Sequence, residues 1–327
     1  MPAGLTKNDG MMYLKAEGKP WHGLGVALDA PATAAEAIEA AQLDWTVETR
    51  PVYTSQLLTT GETSLMTIPN KKAIVRTDTD EVFAIMSDGY EPVQNMDNLN
   101  LLDAVVAQGE AVYHTAGSLF GGRKIWLLSK LPQDIVISDM DKIEQYILLS
   151  SSHDGSAALR MQFTPIRVVC ANTLSFALRD TKGAFYAKHT RNILSKATEA
   201  REALGLAEAY YEIFARQVDE LVNTRMTVIE VQDYLQNLYN FKEDVAYGDQ
   251  DYRILKQYEG TLDALNHPTN RTGGMEGTKW AAYNAVTYYI DHERAVQGQE
   301  YQPDKRLNNS WFGRGVDIRQ RAYDLLV

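Results

Sequence analysis

Apolar and polar positions along the chain change period several times, and the changes mark its elements. Over 33–43 small apolar and acidic residues recur at helical spacing, and Thr33 with Glu36 three residues on supplies a capping box, which predicts a helix. The period then falls to two: Trp45, Val47 and Thr49 alternate with Thr46, Glu48 and Arg50, the pattern of a half-buried strand. Segments 73–76 and 82–86 flank Thr77-Asp78-Thr79-Asp80 and predict a hairpin, and 96–107 returns to helical spacing through Leu99, Leu102 and either Val105 or Val106. A second run of strands follows. Segments 111–116 and 124–129, then 143–150 and 157–163, are joined by connectors rich in turn residues and predict two more hairpins. Segment 168–178 favours helix through Leu174, Ala177 and Leu178, and 184–187 predicts a last strand.

Beyond residue 190 the pattern is helical. Leu204, Ala207, Tyr211, Phe214, Val218 and Leu221 form an apolar seam along one long helix, Thr227 with Glu230 opens another, and after a Gly-rich loop at 270–277 the segments 279–294 and 316–326 predict the last two. The expected fold class is α+β: a β-rich N-terminal body with antiparallel hairpins and a few helices over 1–190, then a mostly helical region over 191–327 that packs on it.

Composition narrows the class without naming a function. The 327 residues are 45% hydrophobic and 23% charged, with 10 Pro and 22 Gly, which excludes a low-complexity or collagen-like chain. No stretch approaches the roughly 18 consecutive apolar residues of a membrane helix. The opening residues lack the basic segment and apolar core of a secretory leader. Cys170 is the single cysteine, so no internal disulfide forms. A soluble protein of a reducing cytoplasm, with no membrane partner, is expected.

The net charge of −11 argues against a simple DNA-coating protein, yet its distribution is uneven. Over 160–191 the bases Arg160, Arg167, Arg179, Lys182, Lys188 and Arg191 face one acid, Asp180, and over 304–321 Lys305, Arg306, Arg314, Arg319 and Arg321 outnumber Asp304 and Asp317.

Candidate chemistry is sparse. The six histidines (22, 114, 153, 189, 267 and 292) are scattered without metal-ligand spacing, so neither metal nor other cofactor is expected, and His153-Asp154 reads as turn filler. Cys170, after two valines, reads as a buried small hydrophobe, although His189 or His22 would complete a nucleophile pair. Gly121-Gly122-Arg123-Lys124 matches no nucleotide-binding fingerprint and reads as a hairpin loop with solvated charges. On the helix at 279–294, Trp280, Tyr283, Val286 and Ile290 form a core stripe beside a polar line of Asn284, Thr287 and Asp291. Basic residues interleaved with aromatics on predicted strands are what single-stranded nucleic acid requires, cations for phosphates and flat rings for bases.

Five ordered segments carry a family resemblance: Pro20-Trp21-His22-Gly23-Leu24-Gly25, Tyr90-Glu91-Pro92-Val93-Gln94-Asn95, Arg167-Val168-Val169-Cys170-Ala171-Asn172-Thr173-Leu174, His189-Thr190, and Asn284-Ala285-Val286-Thr287-Tyr288-Tyr289-Ile290-Asp291-His292. Together they resemble the phage/plasmid-like family of unknown function, from about residue 10 to the end of the chain. Asn172-Thr173 departs from the Asn-Gly of many relatives, so a glycine-dependent turn is not implied there. The resemblance implies the company of phage and plasmid replication or recombination modules, but no activity. At fold level, helix 33–43, strand 45–53, hairpin 73–86 and helix 96–107 are similar to the β-β-β-α core of phage single-strand annealing recombinases, which form rings or filaments and lay single-stranded DNA in a basic groove.

The leading expectation is thus a non-enzymatic homo-oligomer, ring or filament, that binds single-stranded DNA and promotes annealing. Lys71, Lys72, Arg76, Arg123, Lys124, Arg160, Arg167, Lys188 and Arg191 would contact phosphates, and Tyr90, Trp126 and Tyr186 would stack on bases. One alternative is a phage-encoded interaction or assembly protein, including one directed against host defence, using helices 191–222 and 227–239. Another is a hydrolase or nucleotide-processing enzyme built on His22, Cys170 or His189.

Overall fold

The structure, a computed structural model, describes residues 10–14, 25–30, 32–106, 112–138, 141–167, 172–173, 184–189, 193–205, 207–242, 244–271, 275–294, 309 and 313–327. Helix α1 (Ala34–Ala40) begins as its sequence predicts: the Thr33 hydroxyl accepts from the Glu36 amide while the Glu36 carboxylate accepts from the Thr33 amide. Two of the four amides that a helix N-terminus leaves open are satisfied in this way.

Two sheets follow from the alternating segments. The larger contains β1 (Met11–Leu14), β2 (Val26–Leu28), β6 (Val112–Leu119), β7 (Lys124–Ser138), β8 (Asp141–Ser152), β9 (Leu159–Arg167), β10 (Asn172–Thr173) and β11 (Ala184–Ala187). Its order is β10-β9-β8-β7-β6-β1-β2, with β11 also on β9, and its pairs are antiparallel apart from β1 with β2. The smaller contains β3 (Val47–Leu57), β4 (Thr63–Arg76) and β5 (Val82–Ser87) in that order. Register places Met12, Ala116, Leu127, Leu149, Met161 and Phe185 in one row across six strands of the larger sheet. All are buried, in one cluster with Ala37 and Ile38 of α1, Leu99 and Leu102 of α2 (Asn95–Val106), and Val47, Ile74 and Phe83 of the smaller sheet. The N-terminal core is therefore a sheet face covered by two helices and a second sheet.

A second core is helical. Phe214, Val218 and Leu221 of α4 (Ala207–Asn223), Leu235 and Leu238 of α5 (Val228–Tyr239), Trp280, Tyr283 and Val286 of α7 (Lys279–Tyr288) and Tyr323 of α8 (Arg314–Asp324) pack together with Ile143 of β8. Half-buried Phe163 lies against both cores. The protein is α+β, with its helices concentrated toward the C-terminus.

Several expectations change in detail. Residues 172–173 are a short strand on β9, not helix, because their backbone pairs with Arg167 and Ile166; the rest of 168–178 lies outside the described residues. The single helix expected through the 204–221 seam is two, α3 (Ala197–Gly205) and α4. The helix expected over 279–294 passes into a π turn at Tyr289–Glu293. Helix α6 (Tyr252–Leu265) was not anticipated, and β4 starts ten residues ahead of the expected strand at 73. Arg319, counted among the bases of 304–321, is wholly buried and pairs with Asp291 at 2.7 Å, so it belongs to the helical core and not to a basic surface. No helix among the described residues is long and apolar enough to cross a membrane.

Candidate functional site

The loop Tyr90-Glu91-Pro92-Val93-Gln94-Asn95 leads into α2, and its polar side chains tie the two sheets together. Gln94 acts as a substitute strand: its Oε1 accepts from the Val47 amide at 3.0 Å and its Nε2 donates to the Val47 carbonyl at 2.8 Å. Asn95 Nδ2 donates to the carbonyls of Leu43 and Trp45, at 2.9 and 3.1 Å. That fixes the amide orientation and leaves Oδ1 to accept from His153 Nε2 at 2.8 Å. His153 is fully buried, stacked on Phe83 and edge-on to Trp45. Its amide donates to the Arg123 carbonyl. With Nε2 protonated, Nδ1 carries the lone pair, and it has no hydrogen-bond partner among the described residues. Burial pushes the imidazole down to about 3. His153 is therefore a neutral core residue, not the turn filler its sequence suggests.

A second chain of bonds runs alongside. Tyr90 Oη donates to the Ser152 carbonyl at 3.1 Å and lies 2.8 Å from His189 Nδ1. Since the phenol has one proton, Nδ1 is the donor, and His189 Nε2 is free to accept from Ser151 Oγ at 3.3 Å. Burial lowers this imidazole too, to about 4. A serine hydroxyl aimed at a neutral imidazole is the arrangement of a nucleophile and its base. Ser151, however, is 1% exposed. The chain Ser151–His189–Tyr90–Ser152 thus works as a lock inside the junction.

Four of the residues expected to face nucleic acid close this junction from outside. Arg76 is 4% exposed, paired to Asp78 through Nε and Nη2, bonded to the Gly121 carbonyl through Nη1, and seated 4.3 Å above the Trp45 ring. Arg123 donates to Glu81 and to the Phe83 carbonyl and lies over the Phe83 ring. Lys124, opposite Ser152 in register, is held below the usual lysine range by burial, which Asp154 partly opposes. Tyr90 is the phenol already described. Gly121 and Gly122 serve the same contact: at Gly122 (φ 98) a Cβ would meet the Trp45 ring at 2.8 Å and Arg76 Nη1 at 3.0 Å.

The other expected contacts fall elsewhere. Trp126 is a correction: it is wholly buried on the larger sheet and cannot stack on a base. Lys72 lies 3.8 Å from Glu91, and Lys71 is exposed opposite Ser87. The side chain of Arg167, with Arg191, Cys170 and His22, lies outside the described residues. Arg160, Tyr186 and Lys188 do come together. Tyr186 on β11 is the register partner of Arg160 on β9, and the Arg160 guanidinium carbon sits 5.3 Å from the centre of its ring. Tyr186 is 59% exposed, Lys188 is exposed just beyond β11, and Arg160 Nε has no partner among the described residues.

The roles of Asn95 and Ser151 escaped the sequence reading: Asn95 was signalled only as part of the 90–95 motif, and Ser151 only by the density of polar residues in 150–156. Among the described residues no group of three His, Cys, Asp or Glu side chains could hold a metal.

Residues 82–312 match the model of a family described as a domain of unknown function, DUF932. The chain belongs to this family. The matched span holds the whole 90–95 loop, Ser151, His153, Arg160, Tyr186 and His189, whereas β3 and β4 precede it. No curated protein and no solved structure matches the chain.

Proposed function

We propose that this DUF932 protein binds single-stranded nucleic acid along the outer edge of its larger sheet and promotes strand annealing without chemistry of its own. It would do so within the replication or recombination machinery of a phage or plasmid. The observation that carries the reading is the pair Arg160–Tyr186. An exposed tyrosine ring with a guanidinium fixed over one face presents its other face for base stacking, and the cation beside it suits a phosphate. Lys188 extends the same face by one cation at two-residue spacing from Tyr186. Arg160 and Lys188 at this edge belong to the basic stretch of 160–191, and the acidic remainder of the chain would keep nucleic acid from spreading over other surfaces.

The test is a titration of labelled single-stranded and duplex oligonucleotides at two salt concentrations, read by fluorescence anisotropy. A salt-dependent preference for the single strand is expected, followed by faster pairing of complementary strands. No binding to either at low salt would end this reading. The interaction-protein alternative would then take its place.

A further inference from the structure

The β3–β4 hairpin is two structures in one. From Val47 to Pro51 its first strand pairs with the core-facing end of β4, and then the ladder breaks, with Pro51 opposite Lys72 but Tyr53 opposite Thr67. The break contains Pro69 and Asn70, the latter at φ 58, and such a bulge bends a ribbon away from its sheet. Beyond it the pairing resumes and runs to Leu57 opposite Thr63. Here neither face is covered: Tyr53 is 52% exposed, Leu57 74%, Leu65 69% and Met66 48%. Register puts Tyr53, Leu57 and Leu65 on the same face, so they form one apolar stripe.

Both edges of this ribbon are open among the described residues, since β3 takes no other strand and β4 meets β5 from Lys71 onward. Exposed edges are ordinarily protected by charged side chains. Over 51–70 this chain has one, Glu62, although 23% of its residues are charged. The absence of cations gives a polyanion no foothold, and the absence of charge of either sign offers little to a charged partner surface. For a second copy the same property is decisive. Two chains of net charge −11 repel over most approaches, and a neutral ribbon is where they can meet. Two β3 edges related by a two-fold axis pair antiparallel, join the ribbons into one four-stranded sheet and continue the apolar stripe across it.

We propose that the ribbon of residues 52–68 is a self-association arm that docks edge to edge on the same arm of a second copy of this chain. The inference supplies the homotypic contact that an annealing oligomer needs, yet it uses none of the nucleic-acid residues.

The test is the mass of the full chain by sedimentation velocity, over a wide concentration range and without nucleic acid. Wild type is expected above the monomer mass, rising with concentration and not dispersed by added salt. Leu57→Lys with Leu65→Lys places cations on the shared stripe and should raise the dissociation constant by about tenfold or more. Both positions are exposed, so circular dichroism and melting should be unchanged; Leu57→Lys alone serves if the double variant misfolds. A wild-type protein that stays monomeric throughout, or lysine variants that assemble like wild type, would overturn the proposal. Oligonucleotide binding by the same variants is read separately, so loss of assembly and loss of nucleic-acid binding are told apart.

Discussion

Asn95 and His153 face each other at 2.8 Å across the junction of the two sheets, and the same asparagine holds the carbonyls of Leu43 and Trp45 with its amide nitrogen. One buried side chain thus joins the 90–95 loop, the turn after β8 and the approach to β3. Asn95→Ala would leave the His153 N–H and two carbonyls without partners, at a cost of about 3 kcal/mol. Urea unfolding monitored by circular dichroism measures it, and a loss below about 1 kcal/mol would mean that the junction re-pairs or is hydrated.

Acid should loosen this junction before it reaches most carboxylates. His153 and His189 are pushed by burial from 6.5 to about 3 and about 4. As pH falls through 6.5 the unfolded chain takes up a proton at each position while the folded chain does not. The contribution to stability is therefore complete above about pH 6.5 and is lost below it, with a slope approaching about 2.7 kcal/mol per pH unit for two protons. Unfolding free energies at pH 7.5, 6.5 and 5.5 would show the decline, and His189→Gln should roughly halve the slope. A flat profile over that window would contradict the buried, neutral state of both rings.

Neighbouring glycines should respond differently to alanine. At Gly121 (φ 72) the nearest atom to an added Cβ is a Glu81 carboxylate oxygen at 3.5 Å, so only backbone strain opposes the change, about 1 kcal/mol. At Gly122 (φ 98) the same methyl also strikes the Trp45 ring and crowds Arg76, which raises the cost to about 3 kcal/mol. Equal melting temperatures for the two variants would argue against the close seating of this turn on Trp45.

For nucleic acid the expected contributions are graded. Tyr186→Ala should lower single-strand affinity by about tenfold or more through lost stacking. Lys188→Ala should cost less and reduce the salt dependence by about one ion. Arg76→Ala should act on stability, because its guanidinium is already spent on Asp78, Gly121 and Trp45. Wild-type binding by a Tyr186→Ala, Lys188→Ala double variant would remove this edge from the interface.

The sequence exposed what local physics decides. Capping boxes at Thr33 and Thr227, alternation through Val47, and turn residues around Asp78 and Gly155 each fix a few neighbouring torsions, and those elements stand where expected. Burial set by distant partners was hidden. Arg76, Trp126 and Arg319 look alike to any composition count as surface or stacking candidates, yet each is enclosed by segments far along the chain. The 90–95 loop was visible as a motif, but its partners His153 and His189 lie 58 and 99 residues from Asn95 and Tyr90, a separation no periodicity reports. The distal ribbon was missed for a local reason: its large apolar residues fall in adjacent pairs, Leu57-Leu58 and Leu65-Met66, so neither strand shows a period of two.

The span shared with the family begins at Val82, the first residue of β5. That strand takes its ladder from β4, Gln94 bonds the backbone of β3, and Asn95 bonds the carbonyls just ahead of it. A fragment cut at the family boundary would keep every residue of the Ser151–His189–Tyr90 lock and lose the backbone that Gln94 and Asn95, in the same loop as Tyr90, are bonded to. The cooperative unit of this protein is thus wider than its recognisable domain, and the preceding residues are a structural part of whatever that domain does.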